Sequence, residues 1–311
     1  MAQMSLYLFV MGGLSLLFAF CFHVAHSTLL AQGGVVSLRL APRAAGAGTG
    51  DGGTVAIGRQ DLRGSGADGG SAATAGAIAI VGTYVAWSLI GLSMLLRAII
   101  VGRGPWGNMY EFSVAFAFGI TSGYLFLQRR YPIRALGFLP IGVALFLVGY
   151  AATLPSTIEP LVPALDNAPL LTIHVGMAMI SYGIFATSFG AAVAYLAQGP
   201  KDRYAWLPSH KTLDEVAYRA VIIGFPIFAT MIILGSWWAS IAWGRYWGWD
   251  PKETSALVTW LIYAVYLHAR NARGWAGRPA ALILVVGFGA IMFTYFGNLY
   301  FSGLHAYSGL Q

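Results

Sequence analysis

The chain has 311 residues, of which 58% are hydrophobic and only 9% are charged. Soluble domains carry about 25% charged residues, so this composition excludes an ordinary soluble enzyme and indicates a polytopic protein of the lipid bilayer. The net charge of +7 does not indicate nucleic-acid binding, because basic cytoplasmic loops account for it. The single cysteine, Cys21, excludes an internal disulfide and a thiolate metal site, so histidine would have to hold any redox cofactor.

Apolar runs long enough to span a bilayer recur eight times along the chain. They lie at residues 4–30, 77–101, 110–128, 135–154, 170–198, 216–242, 252–270 and 280–301. Only helices and closed barrels cross membranes, and these runs are too long for barrel strands. The sequence therefore predicts an all-α protein with about eight transmembrane helices. The first run has neither a basic segment before it nor a clear cleavage site, so we interpret it as a retained helix.

The chain divides into three segments by composition. Residues 1–30 form the first transmembrane helix, and residues 77–311 form a seven-helix domain. Residues 31–76 are rich in glycine, alanine and serine, which is typical of a flexible linker. The linker lacks the Gly-Lys-Ser/Thr ending of a phosphate-binding loop.

Basic residues predict the orientation of the chain. With both termini outside, fourteen of the eighteen Lys and Arg residues lie in loops on the inside. The exceptions are Arg97, Arg103, Arg245 and Lys252. Because cytoplasmic loops carry the excess of basic residues, we expect both termini and the segment 236–256 on the extracytoplasmic side.

Three helix starts carry the pattern of a capping residue three positions before a glutamate: Asn108 and Glu111, Thr212 and Glu215, Asp250 and Glu253. Pro251 adds a proline at the first helical position. The pattern predicts that Asp250 caps the seventh helix and fixes the preceding segment against it.

That preceding segment holds half of the ten tryptophans of the chain: Trp237, Trp238, Trp243, Trp247 and Trp249. Indole rings form large, flat, apolar surfaces with N–H donors at their edges. The segment therefore favours a large planar ligand. Arg245 and Lys252 are its only basic residues, and either contact acidic groups of that ligand or anchor the segment at the membrane interface.

Two histidines lie at the same end of the predicted bundle as the tryptophans. His174 is about one turn inside the fifth helix, and His305 follows the eighth. Two neutral imidazoles at matched depth are typical axial ligands of iron. The alternative for each is a hydrogen bond to a neighbouring helix.

The other histidines lie elsewhere. His268 is 18 residues beyond Asp250, which is roughly 27 Å along a helix. It is therefore either an interfacial residue or half of a second, inner site. His23 and His26 share one face of the first helix, and either supply the other inner ligand or bond to neighbouring groups. We expect His210 to be solvated.

The segment from Trp243 to Asp250 resembles the Trp-rich WWD signature of haem-handling membrane proteins. Its continuation, DPKETSALVTWLIYAVYLHAR, is similar to the CcsA (ResC) family, the integral-membrane half of the System II cytochrome c synthase. The segments GPWGNMYEF and NLYFSGLHAYSG agree with that family in the same order. The resemblance covers roughly residues 77–308.

The resemblance implies a function and a partner. Haem b is moved to the extracytoplasmic face of a bacterial plasma membrane or a thylakoid membrane. There it is attached covalently to the Cys-x-x-Cys-His motif of an apocytochrome c, as a lyase-type reaction. The activity requires a CcsB (ResB) membrane subunit.

The resemblance also implies roles for single residues. His174 and His305 are the ligands of the outer haem iron, and His268 is a ligand of an inner haem whose second ligand comes from CcsB. The residues placed around the outer haem are Trp243, Trp247, Trp249, Asp250 and Arg245.

Three other functions fit parts of the sequence. A haem exporter would deliver haem to a chaperone without forming thioethers. A b-type electron-transfer protein would pair histidines inside helices, whereas His305 lies beyond one. A solute transporter would need broken helices and charges near the midplane, which the predicted spans lack.

Overall fold

The computed structural model describes residues 1–39, 68–158, 168–199, 201–296, 300–301 and 303–305. These residues form eight α-helices: α1 (Ala2–Arg39), α2 (Asp68–Val101), α3 (Met109–Arg130), α4 (Phe138–Ala152), α5 (Ala168–Gln198), α6 (His210–Trp243), α7 (Pro251–Arg273) and α8 (Arg278–Phe296). A short 3-10 turn at Arg134–Leu136 precedes α4. The prediction of an all-α architecture with eight helices is confirmed, since the described part of the chain contains no strand.

Seven of the eight helices are long and apolar enough to cross a membrane, and α7 is the exception. Helix α7 carries Lys252 and Glu253 in its first turn and Arg270 near its end, which lowers its hydropathy. It packs against α6 and α8. The chain is therefore an integral membrane protein in which α7 is the most polar helix.

Helices α1 and α2 extend beyond their predicted ends. Helix α1 continues to Arg39 and α2 begins at Asp68, so both ends of the predicted 31–76 linker are helical. The rest of that linker, residues 40–67, lies outside the described residues. Apolar periodicity alone missed these ends because they are rich in small and polar residues.

Helix α6 begins before its predicted start because a different residue caps it. The Ser209 side chain accepts a hydrogen bond from the backbone N–H of Thr212. The predicted cap at Thr212 is therefore wrong. Asp214, which follows it, instead pairs with Arg270 of α7 and joins these two helices at the end away from the tryptophans.

Helix α3 lies at the centre of the bundle. In the most apolar 18-residue window of α3, 78% of the residues are buried, whereas only 22% are buried in the corresponding window of α2. Gly119 of α3 and Gly183 of α5 sit at a close crossing, where an added Cβ on either glycine would overlap the backbone of the other helix. Small residues allow membrane helices to approach in this way. The crossing places α5, which carries His174, directly against the core.

One end of the bundle brings together the starts of α3, α5 and α7 and the ends of α6 and α8. We call it the Trp-loop end. Helix α6 stops at Trp243, where Gly244 takes a left-handed conformation with φ 71°. Residues 244–250 then connect α6 to α7. Part of the predicted 236–256 loop is therefore helical, and Trp237 and Trp238 lie on the last turns of α6.

Candidate functional site

A cleft opens at the Trp-loop end between the α2–α3 connection and helices α3, α5, α6, α7 and α8. The space between its walls, with its open side included, is about 1050 Å³. The walls are mostly apolar, and both His174 and His305 line them. The structure thus brings together the two histidines that the sequence placed at one depth.

His174 is held by a neighbouring helix. Its Nδ1 lies 2.8 Å from the carbonyl oxygen of Met231 on α6. Because a carbonyl oxygen only accepts, Nδ1 carries the proton and Nε2 carries the lone pair. Gly235 makes room for the ring, since a Cβ there would lie 2.5 Å from its Cε1. The imidazole is therefore fixed in one tautomer between α5 and α6.

His305 is held by Asp250. Its Nδ1 lies 2.7 Å from a carboxylate oxygen of Asp250, whose side chain is only 1% exposed. The backbone N–H of Leu304 donates to the other carboxylate oxygen. Gly303 permits this approach, because a Cβ there would overlap Asp250. The residues after α8 are thereby attached to the start of α7.

Asp250 also caps α7, as the sequence predicted. Its carboxylate accepts the backbone N–H of Lys252 at 3.0 Å. In return, the Glu253 side chain accepts the backbone N–H of Asp250 at 3.1 Å, which completes a capping box. The predicted cap is confirmed, while the bond to His305 was not predicted.

The Asp250–His305 pair favours a neutral imidazole. Burial alone would raise the pKa of Asp250, but the hydrogen bond from His305 and those from the backbone N–H groups of Lys252 and Leu304 outweigh it and lower the pKa. Burial lowers the pKa of His305, and its hydrogen bond to Asp250 opposes that effect without reversing it. At neutral pH the carboxylate is ionised and the imidazole is neutral, which is the form that binds metals.

The tryptophans divide between the cleft and the surface. The Trp243 ring meets the His305 ring edge-on at 4.8 Å, and Trp247 lines the cleft. Trp249 is 69% exposed and adopts a left-handed φ of 56°. Arg245 is also exposed. Of the five predicted residues in this segment, Trp247 lines the cleft, Trp243 and Asp250 contact His305, and Arg245 and Trp249 are exposed.

Trp238 and Trp106 were not among the predicted site residues. Trp238 is buried with its ring 6.0 Å from that of His305. Lys252, for which the sequence allowed either a ligand contact or an interfacial anchor, lines the cleft. Trp106 forms part of the opposite wall, on the α2–α3 connection. The available signal for Trp106 was its place just before the capping residue Asn108, at the same end of the bundle.

A buried ion-pair network supports the wall that contains Trp106. Glu111 is 2% exposed and accepts from Arg97 Nε at 2.6 Å and Arg103 Nη1 at 3.2 Å. It also accepts the backbone N–H of Gly107 at 2.7 Å. The Arg97 guanidinium in turn donates to two backbone carbonyls beyond α4, at residues 156 and 157. Glu111 thus ties three segments together at the rim of the cleft.

The remaining histidines lie away from the cleft. His268 is exposed on α7. His26 Nδ1 lies 2.7 Å from the Ala72 carbonyl oxygen, and His23 Nε2 lies 3.1 Å from the Thr83 hydroxyl. These two bonds join α1 to α2. Of the two roles that the sequence allowed for His23 and His26, they correspond to hydrogen bonding with neighbouring groups.

Among the described residues that line the cleft, His174 and His305 offer imidazole nitrogens to a metal. The described residues contain no group of three or more His, Cys, Asp or Glu side chains that could hold a bare metal ion. His174 and His305 would therefore suit a metal that brings its other ligands with it.

Comparison with known proteins assigns the same region to one family. Residues 106–305 match the family described as Cytochrome C assembly protein. This range begins at Trp106 and ends at His305, which are the first and last residues that line the cleft.

Similar proteins share most of the chain. The cytochrome c biogenesis protein CcsA of Synechococcus elongatus is 34% identical over 284 residues, which cover 74% of this chain and 87% of that protein. The CcsA protein of Gloeothece citriformis is 32% identical, with coverage of 74% and 87%. That of Prochlorococcus marinus strain MIT 9312 is 34% identical, with coverage of 70% and 81%.

Proposed function

Since this chain belongs to the CcsA family of cytochrome c assembly proteins, we propose that its cleft presents haem b for covalent attachment to apocytochrome c. The chain is an integral membrane protein with a role in cytochrome c biogenesis. In this proposal His174 and His305 bind the haem iron from its two faces. The activity is that of one component of a holocytochrome c synthase.

The observation that carries the proposal is the way both imidazoles are anchored. Each donates Nδ1–H to a protein acceptor, the Met231 carbonyl for His174 and the Asp250 carboxylate for His305. Metal-binding histidines commonly donate their other ring N–H in this manner, which fixes the ring and makes the ligand nitrogen more basic. Two such histidines on one apolar cleft support a metal cofactor with a large organic part.

Haem meets the requirements of this cleft better than a bare ion. A porphyrin supplies four equatorial nitrogens, so two histidines complete the coordination of its iron. The apolar and aromatic walls, including Trp247 and Phe112, suit its macrocycle.

In this proposal the chain orients the haem, and the nucleophiles come from the apocytochrome. We propose that the Trp-loop end and both termini lie on the extracytoplasmic side, as the distribution of basic residues predicts. The cysteines of the apocytochrome motif attack the haem vinyl groups, and haem supplies the electronic activation. The anchored histidines hold the haem so that its vinyl edge stays accessible, which favours the reaction through orientation.

A CcsB-type subunit would complete the assembly. His268 is exposed on α7 and does not line the cleft. Because it is exposed, a neighbouring subunit has direct access to it. We propose that it binds iron at an inner haem site together with a ligand from that subunit.

The test is covalent haem attachment in cells. The chain is co-expressed with its CcsB-type partner and an apocytochrome that carries the Cys-x-x-Cys-His motif. We expect His174→Ala and His305→Ala to abolish haem that stays bound after denaturation. His210→Ala is the matched control, because His210 begins α6 at the end of that helix away from the tryptophans and pairs with Asp202.

Normal maturation in either cleft variant contradicts the assignment. If the wild-type chain exports haem that remains extractable after denaturation, the exporter function is correct instead. A visible spectrum of the purified wild-type complex separates ligand loss from misfolding, because each histidine variant should keep the protein but lose the low-spin signal of iron with two histidine ligands.

A further inference from the structure

The polar groups of the cleft consist mainly of donors that lack acceptors. The indole N–H groups of Trp106, Trp238 and Trp247 are buried, and no hydrogen-bond partner lies within the described part of the chain. All three rings line the cleft. Buried indole N–H groups normally find a partner. The cleft therefore suits a ligand that carries hydrogen-bond acceptors.

Two side-chain oxygens of the lining, Glu253 Oε2 and Asn108 Oδ1, already accept hydrogen bonds within the protein. Glu253 Oε2 accepts the backbone N–H groups of Gly248 and Asp250. The Asn108 side-chain oxygen accepts the backbone N–H of Glu111, and the Ser236 hydroxyl donates to the Tyr246 carbonyl. These bonds close the loop and cap the helices, so they leave the indole donors without a protein acceptor.

Lys252 adds a positive charge to this set of donors. It lines the cleft, and its Nζ lies 5.0 Å from the centroid of the Phe112 ring. No carboxylate oxygen of the described residues lies within 4.0 Å of that ammonium group, and none accepts a hydrogen bond from it. Lys252 also sits in the first turn of α7, where the helix dipole disfavours a cation. An anionic ligand would offset both costs.

We propose that Lys252 forms the carboxylate-binding subsite of the cleft and selects a ligand with acidic side chains. The inference rests on the proposed function, and haem is a ligand of this kind because each of its two propionates ends in a carboxylate. Lys252 is then a specificity-determining residue, separate from the iron ligands. The ammonium group lies on the inner wall, whereas the other basic residue of the Trp-rich segment, Arg245, is exposed.

The experiment compares two ligands that differ only at the carboxylates. The purified full-length chain, with its partner subunit, is titrated with haem b and with haem b dimethyl ester, and the Soret band is followed. We expect wild type to bind haem more tightly than the ester, by about 10- to 100-fold, as charge-assisted hydrogen bonds provide. Lys252→Met should weaken haem binding by that factor and leave ester binding within about threefold.

Two further variants serve as controls. Lys252→Arg keeps the charge and should retain most of the preference for haem over the ester. Lys211→Met removes an exposed lysine at the opposite end of α6 and should leave both affinities unchanged. The thermal midpoint of each variant shows whether the fold is intact.

The outcomes separate this inference from the proposed function. Equal binding of haem and ester by wild type overturns the carboxylate subsite while the haem-binding function stands. The same holds if Lys252→Met weakens both ligands equally. If neither porphyrin binds to wild type, the proposed function fails and the subsite fails with it.

Discussion

Asp250 caps helix α7 and also accepts a hydrogen bond of 2.7 Å from Nδ1 of His305. The two residues are 55 positions apart in the chain. A single carboxylate therefore fixes both the start of α7 and the orientation of a proposed iron ligand. Because the same carboxylate also accepts the backbone N–H of Leu304, the segment after α8 closes onto the Trp-loop end of the bundle.

Replacement of Asp250 should separate these two roles. Asparagine is as good a helix cap as aspartate. The free energy of unfolding of Asp250→Asn should therefore lie within about 0.5 kcal/mol of the wild-type value. It lacks the negative charge that orients His305, so haem affinity should fall about 10- to 100-fold. Asp250→Ala should show the same loss of affinity and also lose about 1 kcal/mol of stability. Haem titration and thermal unfolding measure the two effects, and wild-type affinity in Asp250→Asn would contradict the orienting role.

Gly235→Ala should displace the His174 ring. The added methyl group would lie 2.5 Å from Cε1 of the imidazole, so the ring must leave its position between α5 and α6. We expect the low-spin spectrum of bound haem to weaken and cytochrome c maturation to decrease at least tenfold, because a small displacement of a positioned group is costly.

Gly176→Ala is the control for that variant. Gly176 lies on α5 only two residues from His174, and nothing lies within 4 Å of the Cβ that would be added. Alanine is a better helix former than glycine, so the spectrum and maturation should remain as in wild type. Equal effects of the two substitutions would show that the close packing at Gly235 does not hold His174.

Most of the fold was predictable from local patterns. Eight apolar runs predict eight helices because hydrophobic length is set by the bilayer. The cap at Asp250 is visible from four consecutive residues. The cap at Thr212 was wrong because Ser209, three residues earlier, is also a capping residue type and caps the helix without a glutamate at the third position.

The site was predictable only in part, since its geometry depends on contacts between distant segments. The sequence placed His174 and His305 at the same end because the order and the ends of the predicted transmembrane helices set the depth of each residue in the membrane. It did not reveal that Asp250 orients His305 or that Met231 orients His174. Both acceptors lie on other helices, and the second is a backbone carbonyl with no sequence signal. For the same reason, the sequence could not show that Arg245 is exposed and does not line the cleft.

Glu111 should be the most sensitive charged residue for stability. It is buried between Arg97 and Arg103, so Glu111→Ala leaves two arginines without their partner. Loss of one member of a buried ion pair costs about 3–5 kcal/mol. We expect a large drop in the thermal midpoint and loss of maturation, because the α2–α3 connection is no longer held.

Glu215→Ala is the matched control for Glu111. Glu215 pairs with Arg219 one turn away on the exposed face of α6, and such solvent-exposed pairs contribute little to stability. The thermal midpoint should barely change. If both variants unfold at the same temperature as wild type, the buried network does not support the rim of the cleft.

The unpartnered indoles allow a direct test of whether the cleft awaits a ligand. Trp106 and Trp260 both bury an N–H without a partner in the described residues, but only Trp106 lines the cleft. Trp260 stacks on Phe225 at 5.3 Å instead. Phenylalanine removes the N–H and keeps an aromatic ring in each position.

Trp106→Phe should therefore weaken haem binding by about 3- to 10-fold, which corresponds to the loss of one hydrogen bond, with little change in thermal stability. Trp260→Phe should leave haem affinity unchanged, because its N–H has no ligand to reach. The two affinities are measured by the same Soret titration. If Trp106→Phe binds haem as tightly as Trp260→Phe does, the indole of Trp106 packs against the cleft without donating to the ligand, and the donors of the cleft reduce to Lys252 and the two indoles of Trp238 and Trp247.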